Sequence, residues 1–255
     1  MPMLDVDGVS IYYEVIGEGV PIIFIHPPLI TSTIFTYQVA ELSKHFKMIT
    51  FDIRGHGKSH YSNQAVTYPL IADDIHQLLD HLGIKKAYIC GYSTGGSVVL
   101  EFLLKYLQQA LGGIIISGMS EITDWYQKRR ISLGRALSKS STLRLLSFAI
   151  SYGNANKKEV FQQLHNEAPK GHVKNIEQYF QYSLDYNCTD QLHKIPHPIL
   201  LIYGGKDKAF HRYARLLHEK LPCNEFKMLE NENHQIPTKA SVELNKVILQ
   251  FIKNR

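Results

Sequence analysis

Five short runs in this sequence are apolar at almost every position: Ile22-Ile23-Phe24-Ile25, Met48-Ile49-Thr50-Phe51, Ala87-Tyr88-Ile89-Cys90, Ile114-Ile115-Ile116 and Ile199-Leu200-Leu201-Ile202-Tyr203. A strand with one wet face alternates apolar and polar residues. A run without that alternation must be covered on both faces, which happens when helices flank a parallel sheet. Helix-like patterns lie between the runs. Thr67 reads as an N-cap, Leu70, Ile71, Ile75, Leu78 and Leu79 form one apolar face, and Gly83 ends the helix. Val98–Leu107, Tyr213–Leu221 and Ser241–Ile252 read as further helices. Val9–Ile16 alternates between the turns Asp7-Gly8 and Gly17-Glu18-Gly19, as in a first hairpin, and Glu225–Leu229 reads as a last strand. Strands alternating with helices predict an α/β chain with a doubly wound, mainly parallel sheet. Ligands of such sheets bind outside the carboxyl ends of the strands.

The alternation breaks between Met119 and Ile195, where only helix-like patterns occur. This stretch holds nine Trp, Tyr and Phe residues and eleven Lys/Arg against seven Asp/Glu, which is +4 of the chain's net +5. It predicts a helical insertion over one sheet edge. The core is then residues 1–118 and 196–255, and the cap is 119–195. The basic cluster Lys128-Arg129-Arg130 with Arg135 reads as a solvated helix face in preference to a site for an anionic substrate or acidic partner. The cap aromatics divide between packing on the sheet and lining an apolar pocket.

The rest of the composition excludes more than it proposes. With 44% hydrophobic and 20% charged residues in 255, the chain is neither disordered nor low-complexity. No apolar run is long enough for a membrane span, and no secretory leader is visible. Cys90, Cys188 and Cys223 form no CxxC pair, so free thiols in a reducing, cytoplasmic setting are expected. A net charge of +5 does not argue for nucleic acid. No GxxxxGK[ST], GxGxxG or HExxH occurs, and His165 and His172 near Glu167 lack a metal-site spacing, so neither a cofactor nor a metal is expected.

One turn carries chemistry. Gly91-Tyr92-Ser93-Thr94-Gly95 follows a buried strand, precedes a helix and fits G-x-S-x-G. A strand that turns at once into a helix strains the residue at the tip, and the neighbours two places either side must be small. Ser93 then stands at a helix N-terminus, where an oxyanion is favoured. A serine needs a base held by an acid. Tyr203-Gly204-Gly205-Lys206-Asp207 places a carboxylate after a buried strand, and Glu230-Asn231-Glu232-Asn233-His234 places an imidazole after the last one. Alone, Asp207 reads as the N-cap of a helix starting near Ala209, and His234 as one of thirteen histidines. Together, at the right strand ends, they read as triad partners.

The order Ser93, Asp207, His234, the elbow and the run Asp52-Ile53-Arg54-Gly55-His56-Gly57-Lys58-Ser59 resemble the α/β-hydrolase superfamily over almost the whole chain. The resemblance is to small single-chain members. It implies an α/β-hydrolase fold with a mainly parallel eight-stranded sheet flanked by helices and a helical cap after the sixth strand. It implies Ser93 as nucleophile, His234 as general base and then acid, and Asp207 orienting the imidazole. Asp124, after the sixth strand, is a distant runner-up for the acid. The function implied is a cofactor-free serine hydrolase acting on an ester or thioester of a small, partly apolar substrate through an acyl-enzyme. Two other classes stand beside it: related triad chemistry (C–C bond, amide or lactone hydrolysis, peroxide chemistry), and a non-catalytic small-molecule receptor or signalling partner.

The oxyanion loop departs from the family. The N–H of Thr94 is one expected donor, but the other position, in His26-Pro27-Pro28-Leu29, is Pro28, which has no N–H. Three readings follow. The loop is shifted and the Leu29 N–H donates, a hydroxyl of Thr31 or Ser32 substitutes, or the chemistry needs less oxyanion stabilisation.

Overall fold

The computed structural model describes residues 2–255. In chain order the elements are β1 (Met3–Val6), β2 (Val9–Ile16), β3 (Pro21–Ile25), α1 (Thr36–Leu42), β4 (Lys47–Phe51), α2 (Tyr68–His81), β5 (Ala87–Tyr92), α3 (Thr94–Lys105) and β6 (Ala110–Ile116). Then come α4 (Trp125–Leu137), α5 (Leu143–Asn154), α6 (Lys158–Glu167), α7 (Val173–Asp185), β7 (Ile199–Gly204), α8 (His211–Lys220), β8 (Asn224–Leu229), α9 (Ile236–Lys239) and α10 (Ser241–Lys253). The eight strands form one sheet in the order β1-β2-β4-β3-β5-β6-β7-β8. β1–β2 and β2–β4 are antiparallel and every other pair is parallel.

The uniformly apolar runs divide by a period of two, as a pleated strand requires. Ile23, Ile25, Ile89, Ile115 and Leu201 join the core under α2 and α3. Their neighbours Ile22, Phe24, Cys90, Ile114 and Leu200 join a second core that includes Phe251 and Ile248 of α10. Both faces are therefore buried, and the hydroxyls of the five runs belong to the buried residues Thr50, Tyr88 and Tyr203.

Local signals fix the helix ends. The Thr67 side chain accepts the Leu70 N–H at 3.2 Å and starts α2. At its other end Gly83 takes φ +66, with Gly83 N–H to Asp80 O at 3.0 Å and Ile84 N–H to Leu79 O at 2.8 Å, a Schellman closure. Elsewhere the elements depart from the sequence reading. β6 begins at Ala110 and runs through Gly112 and Gly113, because a Cβ at Gly112 would lie 2.7 Å from the Tyr88 ring and from Pro198 O. α3 starts at Thr94, four residues before the apolar run that betrays it.

Chain order switches direction at β3, which has β4 on one side and β5 on the other. The turns after β3 and β5 are thus adjacent, the crevice where doubly wound sheets bind ligands. The helices α4 to α7 do not lie over a sheet edge, as the sequence reading expects. They bond to the carboxyl ends of the central strands. Tyr179 of α7 donates to His26 O after β3 at 3.0 Å, and His172 N–H donates to Gly55 O after β4 at 2.7 Å. Tyr92, ending β5, donates to Asn154 Oδ1 at 3.1 Å. Leu29 of the β3 turn is buried with Leu146, Ile176 and Phe180 of these helices.

Candidate active site

The turn after β5 is built from close backbone approach. A Cβ on Gly91 would lie 2.2 Å from Gly95 O, and one on Gly95 would lie 2.3 Å from Ile25 O. No side chain fits at either position, so the sequence places glycine at both. The strain falls on the residue between them: Ser93 takes φ +56 and ψ −123. Such a conformation costs about 1–3 kcal/mol and persists only where surroundings enforce it. Ser93 N–H donates to Ile116 O at 2.8 Å and Ser93 O accepts from Gly96 N–H at 2.9 Å, which pins the tip between β6 and the first turn of α3.

The structure brings together three residues that lie far apart in sequence. His234 Nε2 is 3.1 Å from Ser93 Oγ, and His234 Nδ1 is 2.8 Å from Asp207 Oδ2. A carboxylate only accepts, so Nδ1 carries the proton and Nε2 is left to accept from the serine hydroxyl. Asp207 and His234 side chains are 9% and 13% exposed, which keeps water from competing for these bonds. Asp207 does not cap a helix. α8 starts at His211 with Phe210 as its first flanking residue, and the Asp207 carboxylate is left for the imidazole.

Sequence reasoning did not anticipate the two rings around His234. Phe210 lies 4.3 Å from it between ring centroids and Tyr92 lies 5.4 Å away. Both rings are tilted to the imidazole, by 40° and 41°. Burial and the nearby Asp207 carboxylate push the Tyr92 hydroxyl well up, so it stays neutral and donates to Asn154. The only sequence hint was position: one aromatic adjoins the nucleophile and the other follows the acid by three residues. Asp124 is occupied elsewhere. It caps α4 by accepting Gln127 N–H at 2.8 Å and also accepts from the Tyr213 hydroxyl.

The β3 turn has different chemistry. Pro27, Pro28 and Ile30 border the cavity above Ser93. Leu29 adopts φ +70 with its side chain fully buried, and its N–H has no acceptor among the described residues. The Thr94 N–H, in the first turn of α3, likewise has none. Thr31 and Ser32 are engaged. Thr31 Oγ1 is 2.7 Å from Thr33 Oγ1, and Ser32 donates through both N–H (2.9 Å) and Oγ (2.7 Å) to Asp52 Oδ1. Asp52 also accepts Lys58 N–H at 3.0 Å, so the Asp52–Ser59 run clamps the β3 turn from behind. Next to it Arg54 and Asp74 form a buried pair, with Arg54 Nε 2.8 Å from Asp74 Oδ2.

The cavity has a volume of about 370 Å³ and its floor is Ser93, Thr94 and His234. Its walls are mostly apolar, with Met119, Leu146 and Phe180 among them, and Gln127, Arg130 and Asn154 supply polar atoms. Of the nine Trp, Tyr and Phe residues between Met119 and Ile195 only Phe180 lines it. Tyr179 instead packs edge-on against His56 and Tyr68. A hollow of about 390 Å³ lies elsewhere, against Tyr12, Glu14, Asp52 and Lys58, and contains none of Ser93, Asp207 or His234. Among the described residues no group of three His, Cys, Asp or Glu side chains is arranged to hold a metal ion. No helix of these residues is long and apolar enough to cross a membrane. Cys90, Cys188 and Cys223 are all unpaired.

Comparison with known proteins bears on the family and the fold. The family model for the alpha/beta hydrolase fold matches residues 20–144. The AB hydrolase superfamily protein YisY of Bacillus subtilis (strain 168) is 33% identical over 101 residues, which spans 39% of this chain and 38% of that protein. The serine hydrolase BPHL of Homo sapiens is 26% identical over 257 residues, 97% of this chain and 84% of that protein. Among solved structures, an esterase from Exiguobacterium antarcticum superposes with a TM-score of 0.88 at 22% identity, covering 97% of each chain. Family model, relatives named as hydrolases and a fold shared end to end all lead to one place: the chain belongs to the α/β-hydrolase superfamily, among its hydrolytic enzymes.

Proposed function

We propose that this protein hydrolyses an ester or thioester of a small, partly apolar substrate through an acyl-enzyme on Ser93. The observation that carries the reading is the chain of contacts from Ser93 Oγ through both nitrogens of His234 to Asp207, at 3.1 and 2.8 Å, on the floor of a mostly apolar cavity. His234 Nε2 takes the hydroxyl proton as Ser93 attacks the carbonyl, and the same nitrogen returns it to the leaving alcohol or thiol. Asp207 holds the Nδ1–H tautomer and stabilises the imidazolium that forms. Water then enters, is activated by the same imidazole, and releases the acid. The cavity's size suits an acyl chain of modest length, and Met119, Leu146 and Phe180 offer it an apolar wall.

The oxyanion donors in this reading are the N–H groups of Thr94 and Leu29. The support is that both lack an acceptor and that Pro28, at the usual position, has no hydrogen to give. Leu29 takes left-handed backbone with its side chain buried against Leu146, Ile176 and Phe180, and its N–H stays free of any acceptor among the described residues. The helices over residues 119–195 act as the cap that selects substrate. Their bonds to the ends of β3, β4 and β5 support that role.

A panel of nitrophenyl esters of graded chain length, with a lactone and an anilide, tests the proposal. The expected result is a burst of nitrophenol followed by steady turnover on the esters, absent in Ser93→Ala. Fluorophosphonate labelling of Ser93 without turnover on any of these substrates would move the reading to the non-catalytic receptor class.

A further inference from the structure

The outer surface of α4 and α5 differs from the rest of the molecule. Across residues 125–154 the sequence carries six Lys/Arg and no Asp or Glu. Arg135 meets Glu177 at 3.3 Å, whereas Lys128, Arg129, Arg130, Lys139 and Arg144 have no ion-pair partner among the described residues. The same surface exposes Trp125, Tyr126, Leu133, Leu145, Phe148 and Tyr152, half of the large hydrophobic side chains exposed among the described residues. Trp125 is 70% and Tyr152 71% exposed, well beyond what partial packing leaves open.

These side chains lead to the cavity. On α5, Leu145, Phe148 and Tyr152 follow at i, i+3 and i+7, one helical face, with Ala149 among them, and Ala149 lines the cavity. On α4, Leu133 and Arg130 each reach both the solvent and the cavity, and the Arg130 guanidinium lies 5.7 Å over the Tyr126 ring. Arg130, Leu133 and the Ala149 face of α5 therefore border the opening above Ser93.

We propose that this face docks the protein on an anionic lipid surface, with the cavity mouth turned toward the membrane. Trp and Tyr rings settle at headgroup level because one end is apolar and the other polar. Lys and Arg without partners supply the attraction to anionic headgroups. A second copy of the chain suits the face poorly, since two-fold packing would press its unpaired cations against one another. An acidic protein would have to meet five scattered cations with fixed carboxylates, whereas a fluid anionic surface meets them in any arrangement. Docking does not depend on the chemistry proposed at Ser93. Only delivery of an acyl-bearing substrate from lipid to the cavity does.

Trp125 is the single tryptophan of the chain, so its emission reports on this face alone. The full chain is mixed with phosphatidylcholine vesicles with and without phosphatidylglycerol. The expected result is a blue shift of Trp125 emission and co-sedimentation with the anionic vesicles only. Both are lost at about 0.5 M salt, where screening shortens the reach of charge to a few ångström. The pair Lys128→Gln and Arg129→Gln lowers vesicle partition roughly 25-fold, because each basic residue near such a surface contributes about fivefold. Neither residue lines the cavity, so turnover of a soluble short ester is unchanged. Leu145→Ser with Tyr152→Ser weakens partition while the thermal midpoint holds. Ser93→Ala binds vesicles like the parent, so failure of docking and failure of hydrolysis are read separately. The proposal is overturned if neither vesicle shifts the emission, if the shift ignores lipid charge, or if light scattering shows a dimer that Leu145→Ser dissociates.

Discussion

Two turns meet at the centre of the sheet's carboxyl end, and they hold strained backbone by opposite means. After β5, glycines at 91 and 95 let backbone approach backbone, and Ser93 at φ +56 is fixed by hydrogen bonds to β6 and α3. After β3, two prolines remove both hydrogen-bond donors, and Leu29 at φ +70 is held by burying its own side chain against Leu146, Ile176 and Phe180. The first turn depends on the absence of side chains. The second depends on one large side chain in a foreign core. The β5 turn thus belongs to the sheet, while the leucine of the β3 turn is packed by α5 and α7.

The largest effect should come from the β5 turn. Ser93→Ala is expected to lower ester turnover by about 10⁴-fold or more with the thermal midpoint almost unchanged, since the hydroxyl contributes chemistry and little packing. Asp207→Asn should cost about 10⁴-fold by favouring the wrong imidazole tautomer. Near-parental turnover of the first variant in a nitrophenyl ester assay would mean that the β5 turn holds no nucleophile, and of the second that His234 is not oriented by Asp207.

An intermediate effect belongs to the β3 turn. Replacing the residue-29 peptide nitrogen by an ester oxygen, through incorporation of the α-hydroxy analogue of leucine, removes one N–H and keeps the side chain. Turnover is expected to fall about 100- to 1000-fold. Leu29→Gly is the complement. It keeps the N–H and permits positive φ, but deletes a buried leucine, so stability should fall by about 2–5 kcal/mol in denaturant titration while turnover per folded molecule stays within about tenfold. If the analogue retains full turnover, the donor is not Leu29.

The smallest effect is a pH dependence of stability. His26, which opens the β3 turn, and His56, 5.4 Å from it between ring centroids, are fully buried. Burial lowers His26 to about 4 and His56 to about 3 from the usual 6.5, and the neighbouring His26 adds to the shift of His56. Both are neutral in the folded protein. Between pH 6.5 and 4 the unfolded chain binds protons that the folded chain refuses, so the stability present above pH 6.5 is lost as pH falls. The thermal midpoint should drop by several degrees from pH 7 to pH 5. A flat midpoint over that range would show that these rings are not held neutral.

The contrast also explains what was legible in the sequence. Runs such as Ile22–Ile25 announce burial on both faces, and Thr67 and Gly83 mark α2 at both ends, because each signal is local. The elbow shows for the same reason: its sterics demand glycine at fixed spacing. The β3 turn shows only what it lacks. Nothing in Pro27-Pro28-Leu29 reveals a left-handed leucine, since that conformation is enforced by Ile176 and Phe180, nearly 150 residues away. The location of α4 to α7 over the central strand ends was hidden too. It rests on single bonds such as Tyr179 to His26 O, which no periodicity encodes. Phe210 and Tyr92 flank His234 through the meeting of three strand ends, which is again long-range.

A crystal structure of the protein inactivated by an alkyl phosphonate tests the central claim most directly, because one map reads both turns. The account predicts phosphorus bonded to Ser93 Oγ, with the phosphoryl oxygen within about 3 Å of the nitrogens of both Leu29 and Thr94. Phosphorus on any other residue, or a phosphoryl oxygen turned away from both nitrogens, would contradict it.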